Sequence, residues 1–460
     1  MALAAAVDCG ATRRAIDAVW RIESARLIAG LARIVRDVGL AEELAQDALV
    51  IALQRWPQTG VPENPGAWLM ATAKHRAIDL LRRRTRLRER HEQLERDVGI
   101  QLALDAWSLE PALTVGLEEE EIGDDLLSLI FTCCHPLLSP EARVALTLRL
   151  LGGLSTREIA RAYLVSESTI AQRVVRAKRT LADAKVPFRA PGGEELTERR
   201  PAVLEVVYLV FNEGYAASAG ADWMRPALCE EALRLGRVLA ELMRREPEVH
   251  GLVALMEIQA SRAAARLGPA GEPVLLLEQD RARWDRLLVA RGLAALRRAE
   301  RLAEARGPYT LQAAIAACHA RARSACETDW ERIAALYEAL ALLAPSPVVE
   351  LNRAVALGQA FGPEVGLAVV DALLVEGSLE SYHLLPSVRG DLLVKLGRLA
   401  EARAEFERAA GLTLNMRERE LLLGRAGALA DVRDSAPRAN AAGPYRSDDR
   451  GGPKTEGSDD

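Results

Sequence analysis

Four groups of side chains in this 460-residue sequence could do chemistry. Cys133-Cys134-His135 supplies metal donors, but adjacent cysteines point in different directions. With no second CxxC or HxxxH nearby, the group reads as structural thiols, and no metal is expected. Asn212-Glu213-Gly214-Tyr215 and the set His319, Asp329, Trp330 and His383 are the candidates for catalysis. No phosphate loop, nucleophile motif or metal spacing accompanies them. They read as buried polar pairs that hold helices together, so neither an enzyme nor a cofactor is expected. The third group is a one-sign run, with Lys74, Arg76, Arg82, Arg83, Arg84, Arg86, Arg88 and Arg90 against only Asp79 and Glu89. Solvated helix faces usually alternate signs, and the formal net charge is -5. A cationic helix in an acidic chain points to phosphate contacts.

The fourth group is LSTREIARAYLVSESTIAQRVVRAKR, Leu154 to Arg179. Ser155 and Glu158 form a capping box for a helix from about Thr156 to Tyr163. Ser166 caps a second helix, with Thr169 at its third position. Ile159, Ala160, Tyr163, Val165, Ile170 and Val174 are spaced to pack the two together. Ser168, Thr169, Gln172, Arg173 and Arg176 then lie on the polar side of the second helix. This is a helix-turn-helix offering its second helix to a major groove. An ordinary helical hairpin would carry the same apolar spacing.

Helices must position these groups. Half of the residues are apolar, and the periodic segments lack the alternating β-branched runs that strands prefer. The fold class is all-α. A first helix carries Ile16 to Val38 and is expected to end at Gly39. A second, Ala41 to Trp56, turns Leu44, Ala48, Ile51 and Ala52 inward and Glu43, Gln46 and Asp47 outward. A third, Ala67 to Arg90, is apolar in its first half and basic in its second. The expected organisation is a helical block over 1–96, an acidic linker over 97–125 and the helix-turn-helix block over 126–187. A linker over 188–199, a larger helical domain over 200–432 and a disordered tail over 433–460 follow. In the large domain Trp330, Ile333, Tyr337, Leu340 and Pro345 are followed, at about twice a ~34-residue period, by Leu399, Ala402, Phe406 and Ala409. That spacing is tetratricopeptide-like, with small residues that let helices approach and an aromatic that fills the gap. Such arrays usually present a surface to a protein or ligand, here an unidentified one. The N-terminus lacks a basic segment followed by an apolar core, no apolar run reaches ~18 residues, and the six cysteines show no framework. A cytoplasmic location away from the membrane is expected.

Over about residues 12 to 185 the sequence resembles the extracytoplasmic-function (ECF) class of bacterial RNA polymerase sigma factors. AEELAQDALVIAL (Ala41 to Leu53), AWLMATAKHRAIDLLRRR (Ala67 to Arg84) and LSPEARVALTLRLLGGLS with the helix-turn-helix after it carry the resemblance. It implies core RNA polymerase and promoter DNA as partners. Glu43, Gln46 and Asp47 match the face that docks on the polymerase. Lys74, Arg76, Arg82, Arg83 and Arg84 match positions that face the −10 element, with His75 where the family often has Asn. Trp68 matches a core aromatic. Ser168, Thr169, Gln172, Arg173 and Arg176 match the −35 reader, and Leu164 replaces the Gly common in its turn. RPAVLEVVYLVFNEGYAAS (Arg200 to Ser218), GPYTLQAAIAACHA, PSPVVELNRAVAL and the repeat at Leu392 to Ala409 resemble the helical extension of one ECF group. That resemblance implies regulation in cis. A one-component regulator with a helical sensor would need only the helix-turn-helix, and would leave the Ala41–Arg84 motifs unused.

Overall fold

The computed structural model describes residues 9–96 and 119–434, apart from Leu164 and Ala270. The architecture is helical throughout, with a single two-residue strand pair among the described residues. α1 (Cys9–Val35), α2 (Val38–Thr59) and α3 (Pro65–Arg96) form the N-terminal module. The sharp turn between α1 and α2 differs from the sequence expectation. Arg36, not Gly39, takes the left-handed conformation, at φ 53°. Asp37 then caps α2 by accepting from Leu40 N at 2.9 Å, and Gly39 lies inside α2. An Asx cap two residues earlier supplies a hydrogen bond that a glycine stop would not. Trp56 of α2 is fully buried, edge-on to Trp68 of α3 at 5.3 Å, which fixes where the basic half of α3 emerges.

The second module contains α4 (Glu119–Cys133), α5 (Pro140–Leu150), α6 (Thr156–Tyr163) and α7 (Glu167–Asp183). The acidic linker expected over 97–125 lies outside the described residues up to residue 118, and from Glu119 the chain is helical. α1 packs on α4, and α2 touches α7, so the two basic modules lie against each other.

The extension runs through α8 (Gly193–Tyr215), α9 (Pro226–Leu242), α10 (Pro247–Ala260), α11 (Arg286–Leu302), α12 (Pro308–Arg321) and α13 (Trp330–Leu343). It continues through α14 (Pro347–Ala360), α15 (Pro363–Glu376), α16 (Leu384–Lys395), α17 (Leu399–Leu412) and α18 (Met416–Asp434). α8 begins at Gly193, inside the stretch expected to be linker, and residues of the tail from 435 on lie outside the described residues. From α13 onward each helix packs on the next, as stacked helical repeats do. Small residues set the approach. A Cβ at Gly390 would stand 2.6 Å from the buried Phe406 ring, and one at Gly366 would stand 2.6 Å from the Ala354 carbonyl. The array also closes on itself: Ala219-Gly220 (β1) pairs in parallel with Leu414-Asn415 (β2). Buried Asn415 donates from Nδ2 to the Ala217 and Asp222 carbonyls, both at 2.9 Å. One continuous apolar cluster runs from Ile16 through Ile159 and Val207 to Met256, so both modules share a core with the start of the extension.

Candidate nucleic-acid interface

The helix-turn-helix is built by its caps. Ser155 N donates to Glu158 Oε2 at 2.8 Å, and Glu158 N donates to Ser155 Oγ at 3.2 Å, a reciprocal capping box. Ser166 Oγ accepts from Thr169 N at 3.1 Å at the start of α7. Ile159, Ala160, Ile170 and Val174 are buried between α6, α7 and α5, each large apolar side chain contributing about 1.5–3 kcal/mol. Burial of that stripe turns Ser168, Gln172 and Arg176 to solvent, with Thr169 and Arg173 half-buried beside them. The Ser168 and Thr169 hydroxyls lie within hydrogen-bond distance of Ser166 Oγ, at 2.8 and 2.7 Å, so the cap already engages them. Gln172, Arg173 and Arg176 remain as the long side chains of this surface.

On α3, Lys74 is half-buried, while His75, Arg76, Arg82 and Arg83 are exposed; Arg84 lies one residue further along the helix. His75 Nδ1 donates to the Ala71 carbonyl at 2.8 Å, which fixes its ring against its own helix. Glu43 and Asp47 are exposed on α2 and Gln46 is half-buried. Asp47 and Arg76 form an ion pair, so a residue expected to face polymerase holds one expected to face DNA.

Sequence reasoning missed the residue that joins the modules. Glu42, only 3 % exposed, sits on α2 where α7 meets it. Its Oε1 accepts from Arg149 Nε of α5 at 2.7 Å and from Gln46 Nε2 at 2.6 Å. Its Oε2 pairs with Lys178 of α7. A signal was present: Glu42 falls on the stripe of Ala45, Leu49 and Ala52, and a carboxylate in an apolar stripe requires a cationic partner. The extension grips the same module from the other side. Arg143 of α5 pairs with Glu205 of α8 at 3.3 Å, and Arg199 donates to the Phe131 carbonyl at 2.7 Å while lying over the Phe131 ring.

The other chemical candidates are dispersed into packing. Burial pushes the Cys134 thiol up to about 11 and raises Cys133 well above its ordinary value, so both remain protonated. Glu213 pairs with Arg225, and Tyr215 stacks on Phe211 beneath Arg266. His319 lies edge-on to Trp330, Asp329 caps α13, and His383 pairs with Glu418 some helices away. Among the described residues no helix is long and apolar enough to cross a membrane.

Both helical modules with cationic helices, one of them a capped helix-turn-helix, match models of the sigma-70 class. Residues 22–87 match sigma-70 region 2, residues 128–181 match sigma-70 region 4, and residues 199–300 match a family of unknown function (DUF6596). An uncharacterized protein of Rhizobium meliloti (strain 1021) is 44% identical over 388 residues, 84% of this chain and 89% of that protein. The probable ECF RNA polymerase sigma factor SigI of Mycobacterium tuberculosis is 26% identical over 175 residues, 37% of this chain. The match spans 56% of SigI. No solved structure matches the chain. The chain belongs to the ECF-type sigma factors and carries a C-terminal helical extension.

Proposed function

We propose that this sigma factor binds core RNA polymerase, reads −10 and −35 promoter elements with its two modules, and is held closed by its own fold until it does so. Glu43, Gln46 and Asp47 would dock on the polymerase. Lys74, His75, Arg76 and Arg82–Arg84 would serve the −10 element, with Arg82 and Arg83 supplying sequence-independent phosphate attraction. Ser168, Thr169, Gln172, Arg173 and Arg176 would serve the −35 element. An arginine bidentate to guanine discriminates by about 1–3 kcal/mol per base pair. The protein contributes binding energy alone, and catalysis belongs to the polymerase.

The observation that carries the closed state is Glu42 buried between Arg149 and Lys178. Elements centred about 25 base pairs apart are separated by roughly 85 Å along B-DNA, at 3.4 Å per step. Modules that share one core and a buried ion pair cannot span that distance. The clasp therefore has to break on the way to the promoter. The extension would bias that equilibrium in cis, a reading supported by its fastening to the second module through Arg143–Glu205 and Arg199–Phe131. Run-off transcription of genomic fragments by core polymerase with the purified chain tests the reading. Initiation at defined sites, lost with Glu43→Lys/Asp47→Lys, is expected. No initiation, or initiation insensitive to that pair, would remove it.

A further inference from the structure

Where α5, α6 and α7 face α8 there is a half-open cleft of about 510 Å³. Its volume falls in the range of small-molecule sites, and its floor is apolar: Val144, Ala145, Ile159, Ile170 and Leu209. Two hydrogen-bond donors in it are unspent. Tyr163 Oη is buried and bonds to nothing among the described residues. Burial pushes the Tyr163 phenol far up, so it stays a neutral donor. Arg173 makes no hydrogen bond or ion pair among the described residues and is only attracted at longer range by Glu141.

The acidic groups at the mouth are already engaged. Glu213 pairs with Arg225, and Glu141 accepts from the Ser139 hydroxyl at 2.8 Å. A cationic ligand would have to displace those partners, whereas an acceptor end meets two free donors. An unmet buried hydroxyl in a native fold calls for a partner.

We propose that this cleft binds a small molecule with an apolar body and one anionic end, the end lying against Arg173 and Tyr163 Oη. Such a ligand touches the helix-turn-helix and the extension together, so it stabilises their apposition by mass action. It also occupies Arg173. Ligand and DNA are therefore mutually exclusive, each weakening the other by the same factor. The site stands by itself; only its coupling to DNA rests on the sigma-factor reading above.

The probe is 8-anilinonaphthalene-1-sulfonate, an aromatic body with one sulfonate, titrated by fluorescence into the full chain with circular dichroism confirming the fold. Saturable binding at one site is expected. Leu209→Trp, which fills the cleft from an exposed position, should weaken it about tenfold or more. Arg173→Gln should weaken it about tenfold by removing the charged donor. Leu342→Trp, on a separate cleft lined by Glu300, Arg306, Leu342 and Leu343, should change nothing. A 30-base-pair duplex at low salt should displace the probe. Binding insensitive to both Leu209→Trp and Arg173→Gln, or equally sensitive to Leu342→Trp, overturns the site. Binding that responds to the cleft substitutions but not to the duplex overturns the coupling alone. A chain that fails to support transcription yet binds the probe in the cleft leaves the site intact.

Discussion

Replacing Glu42 by Gln should open the molecule. The carboxylate is almost wholly out of water; it accepts a hydrogen bond from Arg149 and is ion-paired with Lys178, whose side chains are themselves less than a quarter exposed. A hydrogen bond to a charged group contributes about 1.5–3 kcal/mol, and the amide retains part of the Arg149 bond. The closed arrangement should lose about 2–4 kcal/mol, which raises the open population roughly 30- to 700-fold at 1.4 kcal/mol per decade. The substitution touches none of the cations that would contact DNA. Anisotropy of a labelled duplex at low salt, with the full chain, should report tighter binding by at least about tenfold. Arg149→Gln attacks the clasp from the other module and should move affinity in the same direction. It also leaves Glu42 with one cation fewer, a larger cost in the closed form. Duplex affinity unchanged in both variants, with unchanged thermal stability, would refute the argument that this ion pair holds the modules together.

Three further outcomes follow from the geometry. His319 is buried, and desolvation, followed by the nearby Arg262 and Arg281 charges, lowers its pKa to about 4. A neutral folded imidazole with an unfolded value near 6.5 leaves stability intact above that pH. Up to roughly 3 kcal/mol is then lost as pH falls from 6.5 toward 4. His319→Gln should remove this slope in urea unfolding at stepped pH, and an unchanged slope would contradict the assignment. Gly390→Ala drives a methyl into the Phe406 ring and should cost about 1–3 kcal/mol in thermal or urea unfolding; a neutral result would mean that α16 and α17 separate freely. Arg82→Ala and Arg83→Ala, both exposed on α3, should each lower the slope of log affinity against log salt by about 0.9 without changing sequence preference, and a change in preference would place them on bases instead.

Local features of the site were legible in the sequence because short-range chemistry sets them. The Ser155–Glu158 box, the Ser166 cap and the apolar stripe through Ile170 and Val174 form at the positions their spacing implies. The turn after α1 falls at Arg36 and not at Gly39, because the Asp37 side chain caps the next helix while Arg36 takes the left-handed conformation. Long-range closure was not legible. The partners of Glu42 lie on α5 and α7, more than a hundred residues away, and Asn415 anchors a loop at Ala217 and Asp222. Nothing in the local sequence of either partner encodes that pairing. The extension's seat on the second module depends in the same way on single pairs such as Arg143–Glu205, contributed by helices that read locally as ordinary amphipathic segments.

The most direct test of the closed sigma factor is energy transfer between dyes at Leu53→Cys on α2 and Val175→Cys on α7, both exposed positions. Cys9 and Cys326 would be replaced by Ser, which leaves the four buried thiols unlabelled. A closed free state gives efficient transfer in the free chain and its loss when core RNA polymerase and promoter DNA are added, as the modules part toward roughly 85 Å. Weak transfer in the free chain, or transfer that persists in the complex, would contradict it.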